Sequence, residues 1–485
     1  MGSNTASVAP LVTSAASVSP LFKDETFRVT DKARDYLLTE DGLAPDEPIR
    51  LPKMLDGMSQ FATYSAVWLI FTVAAPLYFL LGDPSGSMFG APWWTLLVVG
   101  YAGLHLSSFG TFLWRGVLFV PPPYKKTRVF GDDNKGTEDN RVEHIVIITN
   151  GQAGPDGGKK KNVKFELCKK VWEDKKIKVT NIPTTHRGHA YEIARDYDLS
   201  DVDVMVGMGG DGTIHEILNG YMARADKSGA RNGDGSCDGS CDGRGTRFGF
   251  IPGGSGNNVS RTLGTINVEK AARWCSGGSA KEDGGDCMNF DCIKVVSKGE
   301  TICSINTCVF GLIGDIGIIA EELRWCGASR YENTAFIKLL AGYKQHIVIT
   351  FEFEDGRVEV VDDHYLSCFL NCTQFFGKGH RVCPEAMLDN GTADFVGIKA
   401  GIATRGELLA ALTQARTGAH LSNPKTQHIR GIRAAHFKFD CPGIFNLDGE
   451  AMRHDGEVFL KVFRGQCKVM ADRGVLCGGD VASSK

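Results

Sequence analysis

Between residues 142 and 286 the sequence alternates short apolar runs with stretches in which apolar residues recur at helical spacing. The apolar runs HIVIITN, IKVTNIP, VDVMVGM and RFGFIPGG predict four strands, and KFELCKKVWEDKK, GHAYEIARDY and TIHEILNGYMA predict helices between them. Strands that alternate with helices are typical of βαβ units. The pattern therefore predicts an α/β domain over 140–286 with a mostly parallel, doubly wound sheet. A low-complexity stretch, DKSGARNGDGSCDGSCDGRGT, interrupts it and is expected to be a loop.

The pattern changes after about residue 287. Seven strand-like runs follow, mostly joined by short turns: FDCIKVV, TICSINTCVFG, HIVITFEFE, VEVVDDHYLSCFLNC, ADFVGIKA, IRAAHFKFD and EVFLKVF. Two helical stretches, near 320–340 and 405–414, interrupt them. Many strands at short spacing predict an antiparallel β-sandwich domain over 287–475.

The N-terminal part of the chain has a different character. Residues 1–55 are rich in Ser, Ala, Thr and Pro without a sustained period, which predicts a disordered tail, and no signal peptide is expected there. Two runs, at 61–81 and 93–113, then carry no charge over about the 20 residues that cross a bilayer. We expect two transmembrane helices within 56–120, with buried or interfacial helices as the alternative.

Basic residues set the expected orientation of these two helices. Arg50 and Lys53 precede the pair, Arg115 and Lys125 follow it, and the connection 82–92 has no basic residue. The positive-inside rule then places both ends in the cytosol. We therefore expect a multi-pass hairpin that anchors a cytosolic catalytic domain to a membrane, with the endoplasmic reticulum as the candidate organelle.

Composition narrows the class of protein. A net charge of −3, with 42% hydrophobic and 23% charged residues, describes an ordinary globular chain without the basic surplus of a nucleic acid binder. The 15 cysteines are odd in number and scattered, and Cys237 and Cys241 have no second pair at zinc spacing. We expect free thiols in a reducing compartment and no nucleic acid partner.

A glycine-rich loop with an acid at its centre is the strongest candidate for chemistry. Residues 207–212, GMGGDG, match G-x-G-x-x-G between a predicted strand and a predicted helix. The dinucleotide-binding fingerprint also needs an acid about 20 residues further on, which here falls in the low-complexity loop. Asp211 suits phosphoryl transfer instead, because a carboxylate beside a terminal phosphate can accept a hydroxyl proton or aim the oxygen. Glycines at 209, 210 and 212 would let the backbone approach the phosphates closely.

The start of the following helix also admits structural roles. Asp211 could be a turn-forming residue ahead of the helix rather than a catalyst. Thr213 and Glu216 fit the S/T-x-x-E capping box, so Glu216 is expected to be a cap. His215 is expected to be exposed, without a function.

Five motifs carry a resemblance to a known family. GGDGT followed by IHEILNG resembles the diacylglycerol kinase catalytic domain family, which includes lipid kinases for diacylglycerol, ceramide and sphingosine. Four further segments resemble motifs of that family in the same order: TNGQAG at 149–154, TTHRGHA at 184–190, IPGGSGNNVSR at 251–261 and LDGE at 447–450. The resemblance extends from about 143 to 472 and implies a nucleotide-binding α/β domain followed by a lipid-binding β-sandwich.

One segment narrows the resemblance to the sphingosine kinases. FGLIGDIGIIAEELRWCGASRY at 310–331 is similar to the sphingosine kinase signature, and Asp315 holds the position of its first acid. The second acid, associated with the sphingoid head group, is replaced by Gly317. Because a cationic amine pairs with a carboxylate, this departure leaves diacylglycerol and ceramide open as substrates.

The resemblance implies an ATP-dependent lipid kinase that uses Mg²⁺ and phosphorylates the primary hydroxyl of a sphingoid base, converting sphingosine to sphingosine 1-phosphate at a membrane. Asp211 would take or orient that hydroxyl, Glu450 would be a second candidate base, and Asp315 would contact the substrate. The alternative for Glu450 is an ordinary hairpin turn. The residues implied to bind the nucleotide, in a cleft between the two domains, are Asn150, Thr184, Arg187, Gly209, Gly210, Gly212, Gly253, Ser255, Asn257, Arg324, Arg330 and Gly449.

Three other functions remain open at this point. The first is a diacylglycerol or ceramide kinase. The second is a nicotinamide-adenine dinucleotide kinase, which shares the Gly-Gly-Asp-Gly-Thr loop but does not explain the segment 310–331. The third is a non-catalytic membrane adaptor, which would be expected to lack Asp211.

Overall fold

A computed structural model of the chain describes ten stretches of the main fold and three flanking segments of two residues each. The stretches are 127–132, 141–150, 159–224, 246–254, 256–278, 284–322, 334, 344–377, 379–400 and 414–472, and the flanking residues are 87–88, 91–92 and 476–477. The chain divides into two compact units, 1–46 with 123–335 and 342–485, and 47–122 with 336–341. Everything described below belongs to the first unit unless stated.

The first half is the predicted α/β domain, with four parallel strands that alternate with helices. The strands are β1 (His144–Asn150), β2 (Lys178–Thr184), β3 (Val204–Gly209) and β4 (Arg247–Pro252), and the helices are α1 (Lys159–Asp174), α2 (His189–Asp196), α3 (Asp211–Met222), α4 (Asn258–Thr262) and α5 (Val268–Cys275). Their order in the sheet is β2-β1-β3-β4. The order reverses between β1 and β3, and ligands of doubly wound sheets bind at such a reversal.

Alternate side chains of the strands pack against helices on opposite faces. On β1, Ile145 and Ile147 join a core with Cys168 and Trp172 of α1, and Ile148 joins a second core with α2 and α3. Because both faces are covered, each parallel strand reads as a nearly continuous apolar run. This is why the sequence pattern located all four strands.

The second half is antiparallel, as predicted. Its strands are β5 (Asp286–Ser297), β6 (Glu300–Ser304), β7 (Thr307–Gly311), β8 (Gln345–Phe353), β9 (Val358–Asn371), β10 (Ala393–Lys399), β11 (Thr426–Phe439), β12 (Gly443–Leu447), β13 (Glu450–His454) and β14 (Glu457–Ala471), with a helix α6 (Leu312–Glu322) and a 3₁₀ turn Ala419–Ser422. Strands β9, β8, β11 and β10 pair in a closed ring. Stacked rings of Phe310, Phe437 and Phe439 lie in the core.

One hydrogen-bonded sheet joins the two halves. The last long strand, β14, pairs antiparallel with β5 and then parallel with β4, where Val469 lies opposite Phe248. The sequence pattern placed a strand only over EVFLKVF, because an irregularity in register between Phe463 and Cys467 hides the continuation. The domain boundaries at 286 and 287 stay predictions.

Two strand assignments differ from the prediction. The run TICSINTCVFG forms two strands, β6 and β7, with a corner at Ile305 and Asn306. The hairpin of β12 and β13 lacks a predicted strand altogether, because its five-residue arms are too short for a clear period. Helix α6 begins at Leu312, earlier than the predicted 320–340, and most of 323–343 and all of 405–413 lie outside the described residues.

The expected transmembrane hairpin, and with it the expected membrane location, is wrong. No helix in the described part of the chain is long and apolar enough to cross a bilayer. The longest, α1, has 16 residues and is rich in lysine. The two runs at 61–81 and 93–113 lie outside the described residues; in the second unit the structure describes a two-stranded pair, Ser87–Met88 with Ala91–Pro92.

Candidate active site

The carboxyl ends of the parallel strands bring several predicted site residues together. Asn150 ends β1, Thr184 ends β2 and Gly209 ends β3, while Gly253 follows β4 directly. The Asn150 side chain donates from Nδ2 to Thr213 Oγ1 at 3.1 Å, which ties the end of β1 to the first turn of α3. Thr184 Oγ1 donates to the Thr149 carbonyl at 3.4 Å. The predicted nucleotide site is therefore formed by four adjacent strand ends.

Two glycine loops touch each other at this edge. The Gly253 N–H donates to the Gly209 carbonyl at 2.8 Å. A Cβ atom added to Gly254 would lie 2.5 Å from Gly210 Cα, and one added to Gly209 would lie 2.3 Å from Thr213 Oγ1. Glycine is required at position 254 because the loops approach each other, and at position 209 because Thr213 of α3 lies against it.

Asn257 shapes the second glycine loop. Its backbone is left-handed, with φ 52°. Its Nδ2 donates to the Gly254 carbonyl and its Oδ1 accepts from the Gly254 N–H, both at 2.9 Å. The side chain predicted to bind the nucleotide therefore closes the loop on itself, and Ser255 between them lies outside the described residues.

Asp211 lies where the two loops meet. It is the first residue of α3, after Gly210 as the N-cap, and it is partly buried. Its Oδ1 accepts from the Val259 N–H of α4 at 3.3 Å. Burial raises the pKa of Asp211 to about 6, against the backbone N–H groups of Asn258 and Val259, which lower it. A carboxyl group with its pKa near neutrality suits proton transfer.

Glu450 reaches the same helix start from the β-sandwich half. A Cβ added to Gly212 would lie 3.2 Å from Glu450 Oε1. Glu450 forms an ion pair with Arg187, which lies between β2 and α2. The structure therefore brings the two candidate catalytic acids to one helix terminus, and it pairs a predicted nucleotide ligand, Arg187, with one of them.

The expected capping box is wrong. The N-cap of α3 is Gly210, so Thr213 already lies in the first turn, where its hydroxyl binds Asn150. Glu216 caps the neighbouring helix α2 instead, because its Oε2 accepts from the Ala190 N–H at 3.2 Å. Burial raises the pKa of Glu216 to about 7. The spacing of a capping box is local, whereas this contact depends on how two helices pack.

His215 and Asp448 form a contact that the sequence did not predict. His215 is fully buried, not exposed, and its Nδ1 lies 2.9 Å from Asp448 Oδ2. Asp448 belongs to the LDGE motif, but the resemblance assigned only Gly449 and Glu450 there. The signal that could have found it is an acid at the first central position of a hairpin turn, where Asp and Asn tolerate a left-handed backbone.

Comparison with known proteins identifies two domains in the chain. The Diacylglycerol kinase catalytic domain family matches residues 144–285, and the YegS C-terminal NAD kinase beta sandwich-like domain matches residues 308–469. The chain therefore contains a diacylglycerol kinase catalytic domain followed by a YegS C-terminal domain. The predicted family, the α/β catalytic domain and the β-sandwich are therefore confirmed.

Individual proteins are similar to parts of the chain. Sphingosine kinase 1 of Arabidopsis thaliana is 25% identical over 358 residues, which cover 64% of this chain and 69% of that protein. Ceramide kinase of Homo sapiens is 26% identical over 44% of this chain and 38% of that protein. A crystal structure from Bacillus anthracis str. Sterne, assigned as a diacylglycerol kinase, is 19% identical and has a TM-score of 0.51, covering 69% of this chain and 99% of that one; it supports the fold alone.

The departure at Gly317 from the sphingosine kinase signature has a structural counterpart. A Cβ added to Gly317 on α6 would lie 3.1 Å from Asn446 Nδ2. Asn446 Oδ1 accepts from the Gly449 N–H at 3.0 Å, so the amide is fixed against the β12–β13 turn. An amide therefore occupies the space that a side chain at position 317 would enter. Asp315 lies two residues earlier on α6 and is partly exposed, while Arg324 and Arg330 lie outside the described residues.

Proposed function

We propose that the protein is an ATP-dependent lipid kinase that phosphorylates the primary hydroxyl of a sphingoid base. The observation that carries the proposal is the position of Asp211 at the junction of two glycine loops, on a family fold whose relatives include sphingosine kinases. The site has two glycine loops at the expected phosphate end and a carboxyl group whose pKa is raised by burial to about 6.

The nucleotide would bind along the carboxyl edge of the parallel strands. Backbone N–H groups of glycine loops can form concave anion sites, and the N-terminus of α3 adds a favourable dipole. Gly209, Gly210, Gly212 and Gly253 would approach the phosphates, with Thr184 at the rim. Ser255, Arg324, Arg330 and Gly449 stay predicted nucleotide ligands. Mg²⁺ would enter with ATP, where it neutralises charge that develops on the transferred phosphoryl group.

Asp211 would act on the acceptor hydroxyl. The lipid oxygen attacks the terminal phosphorus of ATP, the bond from that phosphorus to the bridging oxygen of ADP breaks, and the hydroxyl proton passes to the Asp211 carboxylate. Its contact with the Val259 N–H fixes the carboxylate, so the incoming oxygen meets an oriented acceptor. Glu450 remains the second candidate base. Its ion pair with Arg187 fixes the position of the Glu450 carboxylate and favours an electrostatic role.

The proposed class of lipid rests on the similar proteins and on Asp315 of α6. Sphingosine kinases of several organisms are similar to this chain. We propose that Asp315 faces the amine of the sphingoid base, because a carboxylate is the expected partner of a cationic head group. Since such a substrate is insoluble in water, the enzyme is expected to take it from a lipid surface.

A ceramide or diacylglycerol kinase is the second candidate, and one observation favours it. The amide of Asn446 lies beside Gly317, where the sphingosine kinase signature has its second acid. A neutral amide suits a neutral polar head group better than a cation. A human ceramide kinase is also among the similar proteins.

The test is a substrate panel. Purified protein, Mg²⁺ and ATP labelled on the terminal phosphate are incubated with sphingosine, ceramide, diacylglycerol and nicotinamide-adenine dinucleotide, and the products are separated. Labelled sphingosine 1-phosphate is expected as the main product. Label mainly in ceramide or diacylglycerol would support the second candidate, and label only in the dinucleotide would refute a lipid kinase.

A further inference from the structure

We propose that His215 and Asp448 form a buried positioning pair that holds the two candidate catalytic acids, Asp211 and Glu450, in register across the junction of the two halves. The inference rests on the proposed function, since it concerns how that site is assembled. Neither residue is expected to contact a substrate. They act through the elements that carry the acids.

The pair lies close to the two candidate acids, both in the sequence and in the structure. His215 follows Asp211 by one turn of α3, and Asp448 precedes Glu450 by two residues in the β12–β13 turn. His215 Nδ1 lies 2.9 Å from Asp448 Oδ2, and the exposed fractions of the two residues are 0% and 2%. The contact therefore joins the helix that carries one acid to the hairpin that carries the other.

Asp448 also fixes a third element, the corner between β6 and β7. Its Oδ1 accepts from Ser304 Oγ at 2.7 Å, from the Asn306 N–H at 3.1 Å and from the Thr307 N–H at 2.9 Å. Its Oδ2 accepts from the Ile305 N–H at 3.1 Å as well as facing His215. A carboxylate with this many donors is a rigid anchor, because moving it would leave several buried N–H groups without an acceptor.

The turn itself transmits that rigidity to Glu450. Asp448 has φ 54° and Gly449 has φ 104°, so both central residues are left-handed, as in a type I′ hairpin turn. The Gly449 N–H donates to Asn446 Oδ1 at 3.0 Å. Leu447 and Glu450 pair across the turn, which leaves Glu450 little freedom relative to Asp448.

The pair also sets the charge near Asp211. The charged groups that act on Asp211 are Asp448, which raises its pKa, and Arg261, which lowers it. Those that act on His215 are Asp448, Glu450 and Glu216; burial lowers the pKa of His215, but these acids outweigh it and the net shift is upward. Asp448 therefore faces His215 and also raises the pKa of Asp211, so a change at Asp448 changes the field at Asp211.

The test compares the pH dependence of turnover in two variants. In His215→Gln the Asp448 carboxylate loses the ring N–H that faces it, so its charge should act more strongly on Asp211 and the acid limb of the kcat/KM profile should move up. In Asp448→Asn the negative charge near Asp211 is gone, so the limb should move down. Both variants should lose about 10- to 100-fold in kcat through misplacement of the acids, with the KM for ATP within about threefold of wild type.

A buried histidine on the same hairpin provides the matched control. His454 packs against Phe439 with ring centroids 4.1 Å apart and the rings tilted by 34°, and burial lowers the pKa of His454 to about 4. His454→Gln should lower the melting temperature, as loss of a buried side chain does, without moving the acid limb. If His215→Gln behaves like this control, or if the two variants of the pair move the limb in the same direction, the positioning pair is refuted.

A measurement without turnover separates this inference from the proposed function. In wild-type protein with ¹⁵N-labelled histidine, His215 Nδ1 should carry a proton that is hydrogen-bonded to Asp448, and Asp448→Asn should shift its resonance. The assignment comes from the spectrum of His215→Gln or, if that variant does not fold, of His215→Asn. A His215 Nδ1 without a bound proton would overturn the inference whichever lipid is phosphorylated, whereas a wild type inactive on lipids would refute only the proposed function.

Discussion

Gly254 shows at the scale of one residue why the two loops of the site are built from glycine. Its α-carbon faces the backbone of Gly210, and there is no room between them for a methyl group. Backbone atoms cannot rotate away as a flexible side chain can, so any larger residue must push the loops apart. The cradle around Asp211 therefore depends on a contact between two loops more than 40 residues apart in sequence.

Gly254→Ala is expected to weaken ATP binding. The added Cβ would lie 2.5 Å from Gly210 Cα, and separation of the loops would cost about 1–3 kcal/mol. We expect ATP affinity to fall about 10-fold or more, measured by titration calorimetry. The matched control is Gly210→Ala, whose Cβ would lie 3.4 Å from Gly254 Cα and should cause a smaller loss. Equal effects of the two variants would contradict this account.

The sequence predicted those site residues whose signal is local. Asn150 and the glycines at 209, 210 and 253 stand at the ends of apolar runs, and the structure brings them together. The sequence did not predict the contact of His215 with Asp448, because 233 residues separate them and the pairing depends on how the β-sandwich half meets α3. The role of Asn257 was missed for a similar reason, since a side chain that closes its own loop looks the same in sequence as one that binds a ligand.

At the scale of the element, β5 and β14 illustrate how a buried acid can organise strands. Asp291 of β5 has no exposed surface, and its carboxylate accepts from the Gly391 N–H at 2.6 Å and the Gly465 N–H at 2.8 Å. The second contact holds β14 where its register shifts between Phe463 and Cys467. Burial raises the pKa of Asp291 to about 7 despite these two N–H groups.

Asp291→Asn is expected to change the pH dependence of stability. The folded pKa of about 7 lies above the unfolded value of about 3.9, so between these values the folded chain binds a proton that the unfolded chain does not. Stability should therefore fall as pH rises from about 4 to 7, by at most about 1.4 kcal/mol per unit from this group. Urea unfolding across that range should show a shallower fall in the variant. An unchanged slope would contradict the assignment.

Elements were predicted well where burial on both faces makes the pattern strong. The run HIVIITN coincides with β1, and the other parallel strands differ from the prediction by one or two residues at their ends. The β12–β13 hairpin gave a signal only at its Asp-Gly turn, because its five-residue arms are too short for a clear period. That hairpin carries Asp448, Gly449 and Glu450, so a site element can be the least visible part of a fold.

At the scale of the whole molecule, the two halves behave as parts of one sheet. β14 belongs to the β-sandwich half by its pairing with β5 and reaches β4 of the α/β half through Val469. This continuity could not be predicted, because strand patterns do not reveal which strands pair. The sequence also led to the wrong expectation of a transmembrane hairpin, because an uncharged run of sufficient length does not by itself establish a helix that crosses a bilayer.

The candidate active site lies where the two halves meet. The α/β half contributes the strand ends and Asp211, while the β-sandwich half contributes Glu450 through its hairpin. A phosphoryl acceptor and a nucleotide would then be held by different halves, with the reacting oxygen and phosphorus between them. The central claim is that Asp211 serves the acceptor hydroxyl at this junction and not the binding of ATP.

The most direct test of that claim is to measure lipid phosphorylation and ATP binding in Asp211→Asn. The amide keeps the size of the side chain and one oxygen for the Val259 N–H, but it cannot take a proton. Turnover on sphingosine should fall about 10²- to 10⁴-fold, while the Kd for ATP stays within about threefold of wild type. Asp198→Asn, an exposed acid of the same half, should change neither quantity. Wild-type turnover in Asp211→Asn, or loss of ATP binding in proportion to the loss of turnover, would contradict the account.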